Sequence, residues 1–230
     1  MGLFQLKIPY LLFYSSLFII ATTIAVFEKL TLVYVKPFAI IALMYLYLSQ
    51  TRKVNPWYLV GMVALFISDI FISINFEYYF AMISLLITFF YISFSMVLKD
   101  FITFKDFKLA DLVSFPIIIS LLLVFYMIYS ITELIWPHVL SSLLYLVIIL
   151  LSLLVFVGLC FLIYIRDRYQ HNVLLFASAC CCLFVNSLLP INELYYYTRV
   201  FSIILAITQF TSIFLLTQFL IVTDLKKQFI

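Results

Sequence analysis

The run Leu65-Phe66-Ile67-Ser68-Asp69-Ile70-Phe71 sets a carboxyl group inside an apolar stretch. Asp69 follows Trp57 by twelve residues, roughly 18 Å along a helix and so near or just past the middle of an apolar layer about 30 Å thick. An acid at that depth is costly unless paired, hydrated or protonated, so a functional role is the default expectation. A structural hydrogen bond between helices is the competing explanation. Lys36, immediately before Pro37, can extend its ammonium outward to the interface, the commoner outcome, or reach Asp69 across a helix contact. Asn186, roughly 21 Å into another apolar run, needs a hydrogen-bond partner. Asn75, Asn192 and Arg199 are expected at the same end of the molecule as Lys36, Asp69 and Asn186, and this convergence weighs more than any one residue.

Other chemistries drop out. Gly2, Gly61 and Gly158 lie too far apart for a phosphate loop, a nucleophile elbow or a Gly-x-x-x-Gly seam. Cys160 and the run Cys180, Cys181 and Cys182 sit in apolar stretches, where consecutive positions on a helix point different ways, so no metal site is expected. His138 and His171 are expected at opposite ends of their helices, which rules against a shared metal or a Ser-His relay. Gln209 and Gln218, on the last helix, can face the interior of the bundle. No cofactor is expected, and no nucleic-acid partner.

The elements that position these residues follow from composition. Of 230 residues 67% are hydrophobic and 10% charged, against roughly 25% charged in soluble domains, so lipid is the solvent for most of the surface. Interruptions in hydropathy place about eight spans, at 9 to 27, 32 to 49, 57 to 75, 79 to 98, 112 to 130, 139 to 165, 172 to 189 and 198 to 222. The first of these suits a spanning helix better than a removable signal peptide, and Leu6 breaks the myristoylation pattern that Met1-Gly2 begins. Short connectors make sequential helices antiparallel and leave residues 1 to 230 as a single transmembrane domain, an all-α polytopic membrane helix bundle.

Ten of the 13 basic residues fall on one side: Lys7, Arg52, Lys53, Lys99, Lys105, Lys108, Arg166, Arg168, Lys226 and Lys227. Lys29, Lys36 and Arg199 fall on the other, with Glu28, Glu77, Glu133 and Glu193. The positive-inside rule then puts both termini in the cytoplasm of a multi-pass protein of the cell membrane. Asp69, Asn75, Tyr78 and Tyr79 are matched at a constant offset by Asn186, Asn192, Tyr195 and Tyr196, the pattern of a parallel four-plus-four repeat. The tyrosines, with Trp57 and Trp136, read as an interfacial belt.

Together these segments resemble the lysoplasmalogenase, or YhhN-like, family of eight-span membrane proteins. The carrying residues are Val35-Lys36-Pro37-Phe38, the run around Asp69, Leu183-Phe184-Val185-Asn186-Ser187-Leu188-Leu189 with Asn192, and Arg199 with Thr217-Gln218-Phe219-Leu220-Ile221. The family has Gly before its first Asp and Ser-Asp in the seventh span, where this chain has Ser68 and Val185-Asn186. The resemblance implies hydrolysis of the vinyl-ether bond of lysoplasmalogen-type lipids. Protonation of the outer alkenyl carbon gives an oxocarbenium ion that water captures, releasing an aldehyde and the head group. By that analogy Asp69 is the acid or the cation stabiliser, Asn186 orients water without being able to take its proton, and Lys36 or Arg199 meets the phosphate. The alternative is a non-catalytic protein that binds or moves a membrane lipid or other amphiphile.

Overall fold

The computed structural model describes residues 3–102, 126, 129, 132–133, 143–167 and 169–226, with seven α-helices long and apolar enough to cross a membrane and no strand among them. They are α1 (Leu3–Val26), α2 (Leu32–Gln50), α3 (Pro56–Asn75), α4 (Phe80–Lys99), α5 (Leu143–Ile165), α6 (Val173–Leu194) and α7 (Arg199–Lys226). Apart from Tyr126 and Tyr129, the expected fifth span at 112 to 130 lies outside the described residues, as do Trp136, His138, Lys105, Lys108, Arg168 and Lys227.

Local chemistry sets the helix ends. Asn55 caps α3 by accepting the Trp57 N–H at 3.0 Å, with Pro56 in the first turn, where its missing N–H costs nothing. Asn75, in the last turn of α3, accepts the Tyr78 N–H at 3.0 Å, and Asn192, near the end of α6, accepts the Thr198 N–H at 3.1 Å. These two asparagines, matched at a constant offset in the sequence, therefore do the same job: each ties a helix end to the turn that follows. Helix α6 runs on to Leu194, five residues past the expected end, because Pro190 already has a helical φ and forfeits a single hydrogen bond that neighbouring helices offset.

The helices close into a ring. Each touches the next in chain order, and α7 completes the circuit against α1 while also lying along α2. Helices α4 and α5 run parallel: Phe101, just beyond α4, stacks edge-on against Tyr169, just beyond α5, with ring centroids 5.4 Å apart. At the other end Phe80 and Ile83 face Leu146 and Ile149 across one cavity. The chain thus leaves α4 at one end of the bundle and enters α5 at the opposite end, as eight spans require. Arg52, Lys53, Lys99 and Arg166 mark the basic end and Glu28, Glu77 and Glu193 the acidic end. His171 is exposed in the turn between α5 and α6, at the basic end.

Burial is arranged for lipid rather than water. Leu11, Phe18, Tyr34, Phe38 and Leu144 point outward and are largely exposed, while Phe13, Tyr58, Phe94, Phe156, Phe210 and Phe219 are fully buried. Gly61 lets α3 and α4 approach closely, since a Cβ there would fall 2.8 Å from the Phe94 ring. One glycine suffices without a Gly-x-x-x-Gly pair. Buried hydroxyls mostly bond back along their own helix, as Ser68 does to the Leu65 carbonyl (2.8 Å) and Thr217 to that of Ile213 (2.7 Å).

Candidate functional site

Asp69 is 2% exposed and tied to two other helices. Lys36 on α2 brings its Nζ to 3.6 Å from Oδ1. Gln209 on α7 donates from Nε2 to Oδ1 at 3.0 Å and to Oδ2 at 3.3 Å. Lys36 is itself buried, so the snorkelling outcome expected as commoner does not occur. The helix carries Lys36 on its inward face, and the carboxylate is close enough to hold the ammonium there. Every partner of the Asp69 carboxyl group named here is a cation or a donor. A buried pair of this kind is sustained by its added hydrogen bonds, which here come from Gln209.

Asn186 on α6 lies across the interior. Its Nδ2 donates to the Tyr91 hydroxyl of α4 and, at 2.8 Å, to the carbonyl of Cys182. This fixes the amide: nitrogen toward two oxygens, Oδ1 away from them. A carboxylate could not take the place of that nitrogen without setting an oxygen against the Cys182 carbonyl. Beside it Ser178 and Ser212 join α6 to α7, with 3.1 Å between their hydroxyls and Ser178 donating to the Ser212 carbonyl at 2.9 Å, and Cys182 Sγ lies 3.0 Å from Ser212 Oγ.

Three cavities connect these groups. The first, about 60 Å³, is mainly apolar, lies between α4, α5 and α6, and includes Phe80, Ile83, Leu146, Leu150, Leu183 and Asn186 in its walls. The second, about 40 Å³, is central and is lined by Ser68, Tyr91, Cys182, Asn186, Gln209 and Ser212. The third, about 30 Å³, sets Lys29, Lys36, Ser73, Asn192, Glu193 and Gln209 among apolar residues that include Ile24, Leu32 and Ile72. Asn186 lines the first two, Gln209 the last two, and Leu189 all three. Lys29 pairs with Glu193 at the acidic end of the third cavity, its Nζ 5.8 Å from the centre of the Tyr197 ring.

Of the residues expected to form one site, Lys36, Asp69, Asn186 and Asn192 belong to this interior system. Asn192 is buried and also donates to Ser202 Oγ at 3.1 Å. Asn75 and Arg199 do not. Asn75 is exposed at its turn, and Arg199, also exposed, donates to the Ala25 carbonyl at 2.8 Å, joining the start of α7 to the end of α1. Three tyrosines leave the expected interfacial belt: Tyr91 holds Asn186, and Tyr58 stacks on Tyr47 at 3.9 Å and reaches Thr217 Oγ1 at 2.8 Å. Gln209, known from sequence only as able to face inward, is a direct partner of Asp69, while Gln218 bonds Tyr10 near the basic end at 3.1 Å. Among the described residues no three His, Cys, Asp or Glu gather as metal ligands. The chain matches no protein-family model, no curated protein and no solved structure.

Proposed function

We propose that this protein binds a single-chain amphiphile with a phosphate-bearing head, in a cell membrane and with both termini cytoplasmic. The observation that carries the reading is the difference between the two outer cavities, one walled by Phe80 and Leu150 and the other presenting Lys29, Lys36 and Asn192, with Asn186 and Gln209 lining the one between them. An alkyl chain suits the first and a head group the last. Lys36 and Lys29 supply cations for a phosphate, and Glu193 and Asp69 keep them neutralised while no ligand is bound. The volumes lie far below the roughly 300 Å³ at which small-molecule pockets begin, so on this reading loading requires helices to part.

Binding without cleavage is the function this geometry supports best. Vinyl-ether hydrolysis needs a proton donor at the alkenyl carbon, and Asp69, facing Lys36 and accepting from Gln209 at both oxygens, is arranged to hold negative charge. One observation favours hydrolysis as the second reading. The central cavity, walled by Asn186, Tyr91 and Gln209, is large enough for a water molecule next to the Asp69 cluster. Asp69 would then stabilise the oxocarbenium ion.

Incubating the purified protein with a lysoplasmenyl phospholipid and following both bound lipid and free aldehyde separates the two. The expected result is lipid retained intact and no aldehyde. Asn186→Asp is expected to remain inactive, because the new oxygen faces the Cys182 carbonyl. Aldehyde released by the wild type and lost in Asp69→Asn would establish the hydrolase instead.

A further inference from the structure

A cavity of about 560 Å³ opens at the basic end of the bundle, a volume within the roughly 300–1,000 Å³ of small-molecule sites. It shares no lining residue with the three interior cavities. Its walls come from the ends of four helices: Tyr47 and Thr51 at the end of α2, Trp57 at the start of α3, Asp100 at the end of α4, and Asp224 at the end of α7. Those walls are tied together. The Asn55 N–H donates to the Tyr47 hydroxyl at 3.1 Å, the Arg52 N–H donates to Asp224 Oδ2 at 3.1 Å, and the Phe101 ring packs against Phe219 with centroids 5.4 Å apart. A ligand therefore meets a site already formed, which lowers the cost of binding.

The electrostatics of the cavity select a cation. Helices α2, α4 and α7 all end here and turn their negative poles toward it, against the single positive pole of α3. Two of those three ends add a carboxylate: Asp100 is the C-cap residue of α4, and Asp224 lies in the last turn of α7. Among the described residues neither carboxylate forms an ion pair, and Lys53 is the one basic residue in the wall, so a negative charge is left over. Lys99, in the last turn of α4, is exposed and does not line the cavity. Beside the carboxylates, Trp57, 39% exposed, and the half-buried Phe101 supply aromatic surface. A bare metal ion makes no use of that surface and a neutral apolar molecule makes none of the charge, whereas an organic cation uses both. We propose that this cavity binds a small organic ammonium ion, its charge met by Asp100 and Asp224 and its apolar body resting on Trp57 and Phe101. The proposal stands apart from the amphiphile reading, since it uses none of the interior residues.

The test is equilibrium dialysis of the full chain, in nanodiscs of zwitterionic lipid, against 2-phenylethylammonium and its neutral counterpart 2-phenylethanol. The wild type is expected to bind the amine about tenfold or more tightly than the alcohol, the worth of a hydrogen bond to a charged group. Asp100→Asn and Asp224→Asn are each expected to weaken amine binding by about three- to tenfold and to leave the alcohol unaffected. Asparagine at 224 can still accept the Arg52 N–H, so the walls stay tied, and an unchanged unfolding temperature checks that both variants remain folded. Combining the two substitutions is expected to bring the ratio of affinities close to unity. Equal binding of amine and alcohol by the wild type overturns the proposal, as does the absence of amine binding. A preference for the amine that survives in the folded double variant overturns it as well, because the charge would then be met elsewhere.

Discussion

At the scale of single residues, the ionisable and amide side chains that apolar context makes conspicuous divide into an interior group and an anchoring group. Asp69 was legible because a carboxyl group in such a run has few tolerable surroundings. Its partners were less so. Whether Lys36 turns inward depends on which face of α2 it occupies relative to α3, a tertiary fact, and Gln209 carries no charge to distinguish it from Gln218 on the same helix. Tyr58 and Tyr91 were hidden for the same reason, among 17 tyrosines of which the most exposed are interfacial. The buried pair yields a thermodynamic prediction. Lys36→Met leaves a carboxylate without its cation and is expected to destabilise the protein by about 3–5 kcal/mol, whereas Lys36→Met combined with Asp69→Leu recovers most of that loss. Thermal unfolding in a single detergent measures both. A double variant no more stable than the single would mean that the pair does not act as a unit.

At the scale of elements, hydropathy located the described helices to within a few residues, except that α1 begins at Leu3 rather than at 9 and α6 runs through Pro190 to Leu194 rather than stopping at 189. Proline is a poor terminator inside a membrane bundle, because a lost bond there is offset by packing rather than by water. The sequence match of Asn75 with Asn192 has a local physical content, since both hold the turn after a helix that finishes at the acidic end, but their burial differs: Asn75 is exposed and Asn192 is not. Sequence spacing of the glycines excluded a paired seam and gave no hint that Gly61 alone sets the α3–α4 distance. Because the Phe94 ring it faces is fully buried and cannot swing aside, Gly61→Ala is expected to cost about 1–3 kcal/mol through overpacking. An unchanged unfolding temperature for this variant would show that α3 and α4 can separate freely.

At the scale of the whole molecule, an all-helical membrane bundle was readable from composition, but the closed ring, with α7 returning to α1 and α2, was not: short loops dictate antiparallel neighbours and are silent on how the circuit closes. The ring gathers Lys36, Asp69 and Gln209 from three helices and leaves cavities inside. Eight spans with cytoplasmic ends predict that reporter tags at 1, 53, 106, 168 and 230 score cytoplasmic and those at 29, 77, 134 and 193 the opposite. A robust exception among them would change the span count.

The central claim is that an amphiphile chain enters between α4, α5 and α6. Photolabelling with a lysophospholipid bearing a diazirine in its chain, followed by mass spectrometry of the peptides, tests it most directly. The account predicts labels concentrated on Phe80, Ile83, Leu150 and Leu183, which line the apolar cavity, and competition by unlabelled lysolipid. Labels spread over the outward residues Leu11, Tyr34 and Leu144, unaffected by competitor, would contradict it.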